Sequence, residues 1–318
     1  MKNWLIYALF LILCPALGYA QGQPLYTQYF YNKLTYNSAF SGAVTSAEFN
    51  LIAREQWLGL KGSPSIQSVQ ANVPLRNIGL GGVLRREAIG LTEHYSANIS
   101  YAYHFPAGWY RIGLGVNAMI GNYVNDYSES RLVTTRPVGL DPALSGTTEK
   151  ATYFNAGFGF LLRGRDFYAG LSVPHIAPRH LALRDEEEIL SENSFRFWHL
   201  MAGYSFYAGN EILLYPQLML SYSEHVPLKI DFHFLAEFGE QFVSGLGFRT
   251  FSSTASTQAK SISAMAGLMI TENWLMTLSH DFGLTPLSDH HNGSLELGLI
   301  FYPGDRSVSR EYRSPRFF

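Results

Sequence analysis

The chain has 318 residues and a formal net charge of −2, so it lacks the basic excess that a general nucleic-acid-binding protein usually carries. Aromatic residues make up 15% of the chain and charged residues also make up 15%, which is rich in aromatics and poor in charge for a soluble globular protein. The single cysteine, Cys14, excludes a disulfide framework.

The amino terminus has the features of a secretory signal peptide. A basic residue precedes a nearly unbroken apolar run from Trp4 to Leu13, and small residues follow that predict cleavage before Gln21. We therefore assign residues 1–20 to a signal peptide and expect an exported, cysteine-free mature protein. Beyond it, no apolar run is long enough for a transmembrane helix.

Residues 21–44 form an aromatic segment that precedes the first predicted strand. Aromatic side chains at this density are expected to pack rather than to remain in water. We therefore predict that this segment lies in the periplasm or inside the domain that follows it. Its aromatic residues are Tyr26, Tyr29, Phe30, Tyr31, Tyr36 and Phe40.

The rest of the chain alternates between apolar and polar residues with a period of two. In Lys229 to Phe238, for example, apolar residues stand at every second position over ten residues, which is long for a soluble strand and typical of a transmembrane strand. The pattern predicts about fourteen strands, at residues 46–54, 66–73, 78–86, 95–105, 109–121, 152–162, 165–174, 195–207, 210–224, 226–237, 241–251, 260–270, 273–282 and 293–302.

These strands predict a transmembrane antiparallel β-barrel over residues 45–303. The connections after even-numbered strands are short and most others are longer, which is the asymmetry between periplasmic turns and outer loops. An even strand number also predicts that both termini lie in the periplasm. A secreted β-sandwich or propeller is the alternative fold class, but it explains neither the strand length nor the loop asymmetry.

Charged residues on the inward register predict a polar lumen of mixed charge. A barrel of about fourteen strands is too wide to be filled by its own side chains, so its lumen holds water, protein or a ligand. Besides Arg54, the predicted lumenal residues are Glu48, Lys229, Asp231, His233, Glu237 and Glu296.

No residue pattern predicts catalysis, a metal site or a cofactor. His280 and Asp281 are neighbours in one strand and therefore face opposite sides, although a relay assembled across strands stays an alternative. His290 and His291 stand in a predicted outer loop without further spaced ligands, where solvated polar residues are the simpler interpretation.

The chain ends in a basic tail at residues 304–318. Its arginines are either part of a disordered extension or a periplasmic docking peptide, and the sequence does not separate these two interpretations. They are Arg306, Arg310, Arg313 and Arg316.

Several motifs resemble those of the PorP/SprF family, outer-membrane proteins of type IX secretion and gliding in Bacteroidetes. The most specific is R-x-Q-W-x-G-x-x-G-x-P, which fits Arg54, Gln56, Trp57, Gly59, Gly62 and Pro64 at every defined place. Ser38 departs from the proline that is usual in the family's Y-N-P-A-[YF]-x-G motif. The other matching segments are residues 28–29, 36–42, 78–82, 89–90, 101–104, 167–172 and 247–249.

This resemblance implies a non-enzymatic barrel of the cell outer membrane, surrounded by outer-membrane lipid. Family members hold or help to export a secreted adhesin, through the substrate's carboxy-terminal domain, or anchor the machinery through periplasmic lipoproteins. The family name does not decide between these partners. A passive porin or a transporter of hydrophobic ligands stays the alternative function, and the Arg54–Pro64 signature is either a partner contact or a structural rim turn.

Overall fold

The computed structural model describes residues 25–128, 147–176, 196–209, 211–224, 226–239, 241–252 and 257–303. Among these, no helix is long and apolar enough to cross a membrane. The strands are β1 (Glu48–Glu55), β2 (Ser65–Leu75), β3 (Ile78–Ile89), β4 (Thr92–Ala107), β5 (Tyr110–Asp126), β6 (Thr148–Arg163), β7 (Phe167–Val173), β8 (Trp198–Tyr204), β9 (Phe206–Ala208), β10 (Ile212–Ser223), β11 (Val226–Phe238), β12 (Phe242–Ser252), β13 (Thr257–Met269), β14 (Trp274–Gly283) and β15 (Ser294–Phe301).

The strands form one closed antiparallel sheet. Apart from β8 and β9, each strand pairs with the strands before and after it in the chain, and β15 pairs with β1 in the register that places Leu51 opposite Leu299, so the ring is closed. The short strands β8 and β9 both pair with β10 and share one position in the ring. The predicted fourteen-stranded transmembrane barrel is therefore confirmed.

The lengths of the connections orient the barrel. The turns after β2, β4, β6, β9, β11 and β13 are two to four residues long, and we assign them to the periplasmic end. The opposite end carries the connections at residues 56–64, 127–147, 174–197 and 284–293, and we call it the outer end. β1 accordingly begins, and β15 ends, at the periplasmic end.

Side-chain burial follows the period-two pattern of the sequence. In β11, Phe232 and Phe234 are exposed on the outer surface, where a membrane would cover them, while Asp231 and His233 are buried in the interior. Aromatic rings also pair across strands near the periplasmic end, with the Trp274 and Phe301 ring centroids 4.6 Å apart. Aromatic side chains at this level of a barrel are usual where it meets the membrane interface.

The aromatic segment lies inside the barrel, and we call residues 25–43 the plug. It folds into a 3₁₀ turn (Tyr29–Tyr31), a short α-helix (Lys33–Tyr36) and a second 3₁₀ turn (Ser38–Phe40). Because these turns satisfy backbone groups locally, an irregular chain can fill the lumen without forming a sheet.

The plug runs from the outer end to the periplasmic end. Thr27 contacts Arg54, which is near the outer end of β1, whereas the carbonyl of Ala43 accepts a hydrogen bond of 2.9 Å from Arg163 at the periplasmic end of β6. Leu25, the first described residue, therefore lies at the outer end. The plug thus crosses the lumen before β1 begins, and both termini of the chain lie outside the described residues.

Candidate functional site

A buried arginine joins the first strand of the barrel to its last two strands. Arg54 is 2% exposed and donates hydrogen bonds to Asp281 at 2.7 Å and to Glu296 at 3.1 Å. Ring closure makes this possible, because β1 lies beside β15, and β15 lies beside β14. The planar guanidinium donates hydrogen bonds to two carboxylates at once, and the single ammonium group of a lysine fits such an arrangement less well.

A second cluster continues the ion pairs around the wall. Asp231 is fully buried and accepts a charge-assisted hydrogen bond from Arg249, while Lys229 approaches it to 3.2 Å. Arg249 also lies 3.6 Å from Asp281, which links the two clusters. Three cations and three carboxylates thus form one network. Removing so many charges from water would cost a large free energy if each charge were not paired with an opposite one.

The outer part of the plug is bound to this network. The Thr27 and Gln28 amides donate to the two oxygens of Glu296 at 2.8 and 2.9 Å, and the Thr27 hydroxyl donates to Asp281 at 2.6 Å. Arg249 donates to the Tyr26 carbonyl at 3.0 Å. The network therefore holds the plug as well as the barrel wall.

The periplasmic part of the plug lies on a surface of glycines. A Cβ atom added at Gly79 would overlap the carbonyl oxygen of Ser41, and one added at Gly115 would overlap the backbone of Ser38 and Ala39. The plug approaches the wall so closely that no side chain fits between them. The Gly-rich segment 78–82 and the 36–42 motif are thus two sides of one contact.

Inward-facing polar residues then bind the plug backbone. Asn72 accepts from the Gly42 amide at 2.6 Å and donates to the Phe40 carbonyl at 3.1 Å. His104 contacts the Ser41 carbonyl oxygen at 2.7 Å, and Ser172 donates to the Tyr36 carbonyl at 2.8 Å. Sequence reasoning missed these anchors, although their inward register was visible, because nothing local indicated a partner inside the lumen.

Two buried histidines pack against plug aromatics. The His199 ring lies 5.2 Å from Tyr36, and the predicted lumenal residue His233 lies 5.3 Å from Tyr29, both in edge-on contact. His199 also contacts the hydroxyl of Ser221 at 2.9 Å from the neighbouring strand. Both side chains of this Ser–His pair are buried between the barrel wall and the plug. We therefore interpret the pair as a structural contact.

The Arg54–Pro64 signature forms the outer rim turn between β1 and β2. The Gln56 amide donates to the Pro64 carbonyl at 2.9 Å, and positive φ angles of 92° and 78° explain the glycines at positions 59 and 62. Trp57 has a φ of 52°, which is unusual for a bulky residue, and its amide donates to Ser294 at 3.2 Å. Its side chain lines a cavity at the barrel mouth.

This outer cavity has a volume of about 430 Å³ and lies above the first residues of the plug. The β14–β15 loop forms its other wall and pairs with the rim turn through hydrogen bonds of 2.8 Å in both directions between Leu58 and residues 292–293. The described residues that line it are Leu25, Arg54, Gln56, Trp57, Arg249, Phe251, Lys260, Ser261, Asp281, Gly283, Thr285, Pro286, Leu287, His291 and Ser294.

The remaining predicted residues lie apart from this cavity. Glu48 and Lys33 border a small space at the periplasmic end of the plug, and Glu237 accepts a hydrogen bond of 3.2 Å from the buried hydroxyl of Tyr215. The tail arginines Arg306, Arg310, Arg313 and Arg316 lie outside the described residues. The described part of the chain contains no group of three or more His, Cys, Asp or Glu residues placed to hold a metal ion.

Motifs that are far apart in the sequence, such as residues 36–42 and 78–82, therefore contact each other where the plug meets the barrel wall. A model of the family described as type IX secretion system membrane protein PorP/SprF matches residues 18–301. The chain belongs to the PorP/SprF family. This confirms the resemblance drawn from the motifs and places this family member in the outer membrane. No curated protein matches the chain in sequence.

Solved outer-membrane barrels resemble this PorP/SprF chain in fold alone. The CymD monoaromatic hydrocarbon channel has a TM-score of 0.52 and 10% identity, covering 88% of this chain and 94% of that one. The toluene transporter TbuX of Ralstonia pickettii has a TM-score of 0.49 and 11% identity, covering 87% and 93%. The outer membrane protein Omp33 of Acinetobacter baumannii has a TM-score of 0.48 and 7% identity, covering 82% and 100%.

Proposed function

We propose that this PorP/SprF protein is a closed, non-enzymatic anchor that holds a secreted adhesin of the type IX system at the outer face of the outer membrane. The observation that supports it most is the plug, which fills the lumen and is bound to the wall along its length. A barrel closed in this way is suited to binding a partner at its rim rather than to passing one through.

The partner of this proposal is the carboxy-terminal domain of a secreted type IX substrate. Its test is purification of the barrel in detergent from native membranes, followed by identification of the chains that co-purify. An adhesin should be recovered, and deletion of the barrel should release it from the cell surface. Recovery of the barrel alone, with surface adhesion unchanged in the deletion strain, contradicts the proposal.

A periplasmic contact is a further part of the proposal. The arginine-rich tail, residues 304–318, follows β15 at the periplasmic end and carries the charge to dock onto periplasmic lipoproteins of the machinery. Removal of this tail should then leave the barrel assembled while those lipoproteins no longer co-purify.

A channel for hydrophobic ligands is the second candidate function. It is favoured by the backbone similarity to the CymD hydrocarbon channel and by the aromatic residues Trp57 and Phe251 at the outer cavity. It requires a path through the lumen, which the plug occupies.

Conductance in planar bilayers separates the two candidates. We expect the intact protein to show little steady current, because residues 25–43 fill the lumen. Deletion of residues 25–43 should open a large, stable channel, since an empty fourteen-stranded barrel is wider than its side chains can fill. A large open current through the intact protein would support the channel instead.

Replacement of Trp57 by alanine tests the role of the rim turn. The hydrogen bond from Trp57 to Ser294 comes from the backbone amide, which alanine retains, so we expect Trp57→Ala to assemble normally. We expect it to retain at least about tenfold less adhesin, the loss on removal of an aromatic contact worth about 1.4 kcal/mol. Trp109→Ala is the matched control, because Trp109 is 95% exposed at a periplasmic turn on the opposite end. Failed assembly of Trp57→Ala, or equal retention by both variants, contradicts a partner contact.

A further inference from the structure

Four arginines lie at the periplasmic end of the barrel, on one side of its mouth. Arg76 lies in the turn between β2 and β3, and Arg111 is the second residue of β5. Arg163 is the last residue of β6, and Arg165 lies in the turn that follows it. Among the described residues, none of the four forms an ion pair with a carboxylate, and Asp166 is the one acid in the turns of this side. We call these four arginines the basic rim.

Two of these arginines stand directly opposite each other. Arg111 pairs with Arg163 in the antiparallel register of β5 and β6. The next pair on the same face, Gly113 and Leu161, is buried in the lumen, so both arginines belong to the inward face at the periplasmic mouth. Like charges directly opposite each other destabilise a sheet. A carboxylate bound between the two guanidinium groups would remove this repulsion.

Most hydrogen-bond donors of this pair remain available. A guanidinium has five N–H donors. Arg163 donates from Nη1 to the Ala43 carbonyl at 2.9 Å, and Nη2 of Arg111 lies as far as 3.4 Å from the side-chain oxygen of Asn77. Arg111 is exposed, and no nitrogen of Arg163 is both buried and unbonded. The remaining donors therefore face solvent, where a partner can reach them.

The charges of the periplasmic turns are divided between two sides of the barrel. The described residues of the turns between β9 and β14 include the exposed acids Glu211 and Glu272 and no Lys or Arg. The basic rim occupies the turns and strand ends from β2 to β7. An acidic partner is attracted to the basic side and repelled by the other, so this division determines where it docks.

We propose that the basic rim docks an acidic segment of a periplasmic protein, with a carboxylate bound between Arg111 and Arg163. Carboxylates match the planar donor geometry of the guanidinium group. The inward register of both residues turns them towards the periplasmic opening rather than towards the bilayer, which favours an acidic peptide over the headgroup of an anionic lipid. The surface belongs to the barrel itself, so the proposal depends neither on docking by residues 304–318 nor on adhesin retention.

The test measures binding of an acidic peptide to the full-length protein in detergent. The probe is the rhodamine-labelled peptide Gly-Glu-Asp-Glu-Gly-Glu-Asp-Glu, followed by fluorescence anisotropy. The control peptide has Gln in place of Glu and Asn in place of Asp, so only the charge of its side chains is changed. We expect the acidic peptide to bind at least about tenfold more tightly at low ionic strength, and this advantage to shrink as salt is added. Equal binding of the two peptides overturns the proposal.

Substitutions locate the binding to the basic rim. Arg111→Gln/Arg163→Gln should weaken binding of the acidic peptide at least about tenfold, because both guanidinium groups are lost. Lys61→Gln/Lys150→Gln is the matched control, since it removes the same charge from exposed positions at the outer end. This control should bind the peptide as the wild type does, and equal effects of the two double variants contradict the proposal.

A second rim variant keeps the test valid if the first assembles poorly. Arg111→Gln/Arg165→Gln retains the bond from Arg163 to Ala43 that holds the plug, and it should also weaken binding. Unchanged binding by both rim variants, together with loss of binding on removal of residues 304–318, would assign the peptide to the tail and overturn the proposal. Displacement of the peptide by equimolar dihexanoyl phosphatidylglycerol would assign the rim to lipid and overturn it as well.

Discussion

Replacement of Arg54 by alanine is expected to destabilise the barrel by about 3–5 kcal/mol, because it leaves two buried carboxylates without their cation. Asp281 and Glu296 would lose the guanidinium that pairs with both, and Thr27 would lose a hydrogen-bond donor at 2.8 Å. The plug should therefore loosen at its outer end. Denaturant unfolding of the folded barrel measures the stability, and bilayer conductance should rise as the plug is released.

Arg86→Ala is the matched control for this prediction. Arg86 pairs with Glu93 at 2.8 Å, a distance close to that of the Arg54–Asp281 pair, but its side chain is 40% exposed. An exposed pair is worth no more than about 1 kcal/mol, so this variant should resemble the wild type. Similar stability of Arg54→Ala and Arg86→Ala would show that the network does not hold the barrel together.

Replacement of Gly79 by alanine is expected to displace the periplasmic part of the plug. The added Cβ would overlap the backbone at Ser41 and Gly42, which cannot move aside as the end of a flexible side chain would. Overpacking of this kind costs about 1–3 kcal/mol. Limited proteolysis should then cut within residues 25–43, and the channel current should exceed that of the intact protein.

Gly82→Ala provides a control in the same strand. Gly82 also lies in β3, but a Cβ added there meets nothing within 4 Å. This change should leave proteolysis and conductance at wild-type levels. If Gly79→Ala also leaves proteolysis and conductance unchanged, the close contact between plug and wall is not what keeps the lumen closed.

Much of the barrel could be predicted from the sequence because strand alternation is a local property. The predicted and observed strands agree to within a few residues at most ends, and all six periplasmic turns fall where they were expected. The predicted strand at 195–207 is interrupted at Ser205, whose amide donates to the Asp166 carbonyl in the β6–β7 turn at 2.8 Å. That bond comes from outside the strand, so alternation could not reveal it.

The predicted lumenal residues illustrate the limit of such reasoning. Period two indicated that Asp231, His233 and Glu296 face inward, and the structure buries all three. It did not indicate that Glu296 binds two plug amides, or that Arg54 reaches across to Asp281. Those contacts join residues separated by 227 to 269 positions in the chain.

The sequence by itself determined the strands, their inward and outward faces, the class of the barrel and the family. Each of these depends on residues that are close together in the chain and on the simple rule that apolar faces meet lipid. The tertiary structure alone decided that residues 25–43 cross the lumen from the outer end, that glycines form the surface beneath them, and that Trp57 faces a cavity. The physical reason is closure of the ring, which brings the first and last strands together and encloses a space that one segment of the same chain fills.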